Sequence, residues 1–150
     1  MTTPEATPSS PLRQNDTLGD TSALIGRMLI AAIFIGSGLS KISGFDATAG
    51  YIASKGVPAP QLCAALAIVL EPAAALMVLL GWRARQGALA LALFVLIITP
   101  IFHAPWMVAT EPMKTMQLHA MFKNIAMLGG LLVLAGMGPG RFSLDARRAQ

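Results

Sequence analysis

Residues Leu62–Leu80 read LCAALAIVLEPAAALMVLL, an apolar run broken by one ionisable side chain, Glu71. A helix needs about 20 mostly apolar residues to cross the hydrocarbon core of a bilayer. This run meets that length, and its flanks suit a span. Gly56, Pro58 and Pro60 precede it, as a stop followed by a start would require. Gly81 ends it, and Trp82-Arg83 stands where an interfacial aromatic and a positive charge belong. Backbone polar groups inside lipid must be satisfied within the segment, so the run is a helix.

Three further segments follow the same rule. They are Ser22–Ser40, Gln86–Phe102 and Leu118–Met137. The stretch Glu111–Gln117 is expected to extend the last one outward. The connection Lys41–Gln61 is too long for a bare loop, and Phe45, Tyr51 and Ile52 predict a short amphipathic helix on the membrane surface there. The fold class that results is all-α, an integral membrane bundle of four transmembrane helices. Residues 1–20 are polar and rich in Thr, Ser and Pro, which predicts a disordered tail rather than a signal peptide. Residues 21–140 form the bundle, with an uncleaved first anchor, and residues 141–150 a second tail.

Composition agrees. The chain has 150 residues, 55% hydrophobic and only 12% charged, against roughly 25% charged in soluble domains. Its formal net charge is +4, but the basic residues are scattered between apolar runs, which argues against nucleic acid as a partner. Cys63 is alone, and no cysteine pair, zinc or haem-attachment spacing is present, so neither a metal nor a covalently bound cofactor is expected. Arg13, Arg83, Arg85, Arg141, Arg147 and Arg148 fall on one side of the spans, and Lys41, Lys55 and Lys114 on the other. This bias predicts cytoplasmic placement of both termini.

Ionisable groups near a span centre cost about +2.5–3.5 kcal/mol on translocon scales, so each calls for an explanation. Glu71 lies roughly 13 Å deep at 1.5 Å per residue, too deep for a carboxylate to reach water. It must be protonated, paired or facing a polar cavity. Pro72 follows it and frees a carbonyl one turn back. Lys123 lies about one turn into the last span, where its stem can reach Glu71 or snorkel outward. His119 precedes it by four residues on the same face, and Asn124 adjoins it. Arg27, one turn in from the inner side, is expected to snorkel, or else to form a second arm of a network with Glu71. His103 falls at the outer end of the third span. Arg27, Glu71, His103, His119, Lys123 and Asn124 thus form the candidate intramembrane polar site. All but Arg27 are expected to converge on the outer half. Such a cluster suits the polar ring of a quinone whose tail stays in lipid, although each histidine alone is better explained by a place at the interface.

The order of these pieces resembles the DoxX family of small bacterial four-helix membrane proteins. The resemblance rests on Arg27 with the run Ala32–Gly38 and Lys41, on Gly56-Val57-Pro58, on Glu71, and on Phe102-His103. It continues through Phe122-Lys123-Asn124, Gly129-Gly130 and the ending Gly138–Asp145. It covers about residues 20–148. The resemblance implies an inner-membrane location and a link to quinone-dependent oxidoreduction, since the family is named for a membrane subunit associated with thiosulfate:quinone oxidoreduction. The expected function is therefore a quinone-interacting subunit of a membrane redox complex. No flavin or nicotinamide fingerprint is present, so a soluble or membrane partner protein must supply electrons. The alternatives are a non-enzymatic scaffold or assembly factor and, third, a small-molecule carrier. Beyond membrane lipids, a second copy of the chain is a further candidate partner.

Overall fold

The computed structural model describes residues 16–148. The chain is all helical there: α1 (Asp16–Ser43), α2 (Phe45–Ser54), α3 (Pro60–Leu80), α4 (Ala84–Phe102), a 3₁₀ turn (Pro105–Met107), α5 (Glu111–Met137) and α6 (Leu144–Arg148). Four helices, α1, α3, α4 and α5, are long and apolar enough to cross a membrane. The expected surface helix in the first long connection is α2. The outward extension of the last span is the first turns of α5.

Helix ends follow local chemistry. Pro60 opens α3, and Gly81 closes it in the left-handed conformation. There the Trp82 amide donates to the Met77 carbonyl at 3.0 Å and the Gly81 amide to Val78 at 3.2 Å, the paired bonds of a Schellman end. α5 stops at Gly138, whose φ is +92°, before Pro139. α3 continues unbroken through Pro72. The proline ring packs on Gly38 of α1, where a Cβ would come within 2.8 Å of Pro72 Cδ.

The four long helices are arranged in chain order. α1 packs on α3, α3 on α4 and α4 on α5, while α1 and α5 close the ring along a short stretch. The shared core is rich in alanine (Ala31, Ala74, Ala75, Ala88, Ala92) with Phe34, Leu91 and Leu131. Small residues let backbones approach closely, which drives association in lipid. Bulky apolar side chains point outward instead, Val69 being 68% exposed. Buried polar side chains among the described residues are Arg27, Glu71, Asn124 and Ser143. That inversion suits a protein whose solvent is lipid.

α3 and α4 approach closely at Gly87, where an added Cβ would stand 2.9 Å from both the Ala74 carbonyl oxygen and Met77 Cβ. Gly87→Val is therefore expected to force α3 and α4 apart, at about 1–3 kcal/mol. Thermal aggregation measured on the detergent-solubilised protein should begin at a lower temperature than for the parent.

Two expectations about the tails need correction. Residues 16–20, assigned to a disordered tail, are the first turns of α1, while residues 1–15 lie outside the described residues. Residues 141–148 are not a free tail either. They fold back against the end of the bundle that carries the start of α1 and the α3–α4 turn. Asp20 Oδ1 accepts from the Arg141 amide at 2.8 Å. Asp145 accepts from the Arg83 amide at 2.8 Å and the Ala84 amide at 2.9 Å. It thereby satisfies donors that open α4 and would otherwise be orphaned. Its own amide donates to the Gly81 carbonyl at 2.8 Å. The two described ends of the chain therefore share one side of the bundle.

Candidate functional site

The cluster around Glu71 begins with helix geometry. α1 extends to Ser43, so Lys41 belongs to its last turn rather than to a loop. Ser37 lies four residues earlier, one turn below on the same face. Lys41 Nζ donates to Ser37 Oγ and sits 3.1 Å from each carboxylate oxygen of Glu71. Its hydrogen-bond geometry favours Oε2. Oε1 keeps the charge contact but has no hydrogen-bond donor among the described residues. The Glu71 side chain is 1% exposed and that of Lys41 24%. Glu71 is thus paired, and its partner is neither Lys123 nor Arg27.

On the opposite side of the bundle, Asn124 of α5 donates through Nδ2 to Thr99 Oγ1 of α4 at 3.0 Å. Thr99 Oγ1 in turn donates to the Val95 carbonyl at 2.6 Å. His103 Nδ1 lies 3.0 Å from Gln117 Oε1, which ties the end of α4 to α5 a second time. Polar contacts therefore hold α1 to α3 and α4 to α5.

Between these two pairs lies a cavity of about 490 Å³, within the range of small-molecule sites. Its wall combines Glu71, Lys41, Ser37, His103, Lys123 and Asn124 with apolar side chains such as Phe34, Ala67, Phe94 and Met127. Several lining residues are also exposed. Ile33 and Lys123 lie beside the α1–α5 gap, and Leu66, Leu70 and Ile97 lie on the α3–α4 side. The cavity is thus reachable from lipid. α2 covers its outer end, with Ile52 packed near Ala64, and Tyr51 Oη donates to the Phe102 carbonyl at 3.2 Å.

Glu71, His103, Lys123 and Asn124 share the wall of this cavity. His119 is exposed and does not line the cavity. It stands one turn nearer the outer end of α5. Arg27 neither snorkels nor joins Glu71. It is 1% exposed, donates through Nη2 to the Phe142 carbonyl, and feels the charge of Asp145. It belongs to the opposite end of the bundle, in the space left open by Gly81, where a Cβ would collide with Arg27 and Ser143. Among the described residues no group of His, Cys, Asp or Glu side chains is placed to hold a metal ion.

The DoxX family model matches residues 22–104, more than half of the chain. The chain belongs to the DoxX family. It is 37% identical over 124 residues to inner membrane protein YphA of Escherichia coli, covering 83% of this chain and 88% of that protein. It is 35% identical over 128 residues to inner membrane protein YqjF of the same organism, covering 85% and 92%. It is also 29% identical over 126 residues to the Surfeit locus protein 4 homolog of Schizosaccharomyces pombe, covering 83% of this chain and 37% of that protein. No solved structure matches. With four spans, this DoxX protein is a multi-pass inner-membrane protein. The DoxX match includes Arg27, Lys41, Glu71 and His103, while Lys123 and Asn124 lie beyond it.

Lys41, Ser37, Thr99 and Gln117 complete the site although composition did not single them out. For Lys41 a signal existed. Ser37 and Lys41 stand four apart, and the helical face they share, continued inward, carries Phe34.

Proposed function

We propose that this protein binds a quinone-type lipophile in the outer-half cavity and serves as the quinone-facing subunit of a membrane redox system. The observation that carries this reading is Glu71 Oε1, a buried carboxylate oxygen without a hydrogen-bond donor, in the wall of a largely apolar cavity reachable from lipid. A quinone ring with a hydrocarbon tail matches such a wall. Asn124 Nδ2, bonded once to Thr99, keeps a second N–H for a ring carbonyl, and Glu71 Oε1 accepts from a ring hydroxyl once the quinone is reduced. Reduction to the quinol takes two electrons and two protons. The electrons come from a partner protein, and the Lys41–Glu71 pair is placed to pass protons. Both termini face the cytoplasm in this arrangement, as the arginine bias requires, so the cavity opens toward the periplasmic leaflet.

A short-tailed benzoquinone titrated onto the purified protein should bind saturably. Asn124→Leu removes a polar group from the wall and should weaken binding about tenfold, the value of a hydrogen bond of roughly 1.4 kcal/mol. Absence of saturable binding to the folded parent protein would refute the proposal.

A further inference from the structure

The charges in the cavity wall do not balance. Lys41 is neutralised by Glu71 at 3.1 Å. His103 is engaged through Nδ1 by Gln117. Lys123 remains. It lines the cavity from α5, across from the α3 wall that carries Glu71. No carboxylate among the described residues pairs with it: the salt bridges found are Lys41–Glu71, Lys114–Glu111 and Arg141–Asp20. Glu71 is the one carboxylate among the lining side chains. One uncompensated ammonium therefore stands beside an apolar cavity of about 490 Å³. In a low-dielectric setting a lone cation attracts a counter-charge strongly, and the cavity wall offers none.

We infer that the cavity selects lipophilic molecules whose head is an anionic oxygen, with Lys123 as the counter-ion. This rests on the cavity being a ligand site, and it adds the charge state of the head. Two sources share that chemistry. One is an ionised hydroxyl on a quinone-type ring, the other the carboxylate of a free fatty acid. In both, the tail occupies the apolar wall and the oxygen meets Lys123. An ionised ring that keeps a second, neutral hydroxyl could also donate it to Glu71 Oε1. Lys123 then acts as a specificity-determining residue. It discriminates acid from neutral head at equal tail length.

The test uses the full-length protein in phosphatidylcholine nanodiscs, with empty nanodiscs subtracted. Two matched pairs of probes are compared: palmitate against hexadecanol, and an alkyl hydroxynaphthoquinone against its methyl ether. The anionic member of at least one pair should bind about tenfold more tightly than its neutral mate. The pair that shows the preference identifies the source. Lys123→Gln should abolish the preference, and Lys123→Arg should retain it. Because Lys123 is exposed, neither substitution threatens folding. Equal affinity within both pairs, or a preference that survives Lys123→Gln, overturns the inference. In the second case Lys123 serves lipid phosphates at the cavity mouth. Saturable binding of the neutral quinone without acid preference leaves the proposed function standing and removes only this refinement. If no probe binds, both fall.

Discussion

Lys41→Met should destabilise the protein by about 3 kcal/mol, because breaking a buried pair from one side strands the other charge. Glu71 is buried in the middle of α3. After the substitution it must take up a proton, and protonating an ordinary carboxylate at pH 7 costs roughly 4 kcal/mol. That sets a ceiling on the loss. Glu71→Gln should cost less. It leaves a lysine near the outer end of α1 that is already 24% exposed, and a four-carbon stem lets the ammonium swing toward water. The double substitution Lys41→Met with Glu71→Gln should recover most of the loss, since apolar or neutral replacements of a buried pair are often tolerated. Thermal unfolding in one detergent, read by helical circular dichroism, should rank the proteins in that order. A Lys41→Met protein as stable as the parent would show that the pair contributes nothing to folding.

The second large effect is expected at the opposite end of the bundle. Asp145→Ala removes the acceptor for two amides at the start of α4, at 2.8 and 2.9 Å, and the carboxylate whose charge acts on the buried Arg27. Losing a helix N-cap costs about 0.5–2 kcal/mol. The change also takes a negative charge from the neighbourhood of the buried Arg27, whose Nε and Nη1 already lack hydrogen-bond acceptors among the described residues. The loss should be about 2 kcal/mol. It should show as sharply reduced abundance in the membrane and early aggregation on heating. Asp145→Asn keeps one acceptor and loses the charge, so it should fall between. If Asp145→Ala accumulates and melts like the parent, the C-terminal segment is not a structural cap.

These two sites also mark where sequence reasoning stops. The four spans could be read from their apolar runs, and α2 from Phe45, Tyr51 and Ile52, because lipid leaves a chain few choices. Glu71 stood out for the same reason. Its partner did not, because the apolar run ends near Ser40 while the helix runs on to Ser43. Lys41 therefore looked like a loop residue, and Lys123 looked like the nearest cation. Which side chains meet depends on the rotation of α1 against α3, and that is fixed by the contact of Gly38 with Pro72, which no periodicity reveals. The ending Gly138–Asp145 reads as a polar tail by composition. Its polar groups are in fact spent on helix ends far away in the chain, Asp145 on α4 and Phe142 on Arg27. His119 shares a helical face with Lys123, yet one turn of rise carries it off the cavity wall.

The central claim, that the outer-half cavity holds a lipophile with a quinone-type head, is tested most directly by what the protein carries out of the membrane. The intact protein and an Ala67→Phe variant, which puts a bulky ring into the cavity wall one turn from Glu71, would be purified in mild detergent. Each would be extracted with organic solvent and analysed by mass spectrometry. A quinone retained by the parent and lost from an equally folded variant is the predicted result. Bulk phospholipid alone in both, with no quinone above the level of an unrelated membrane protein, would contradict it.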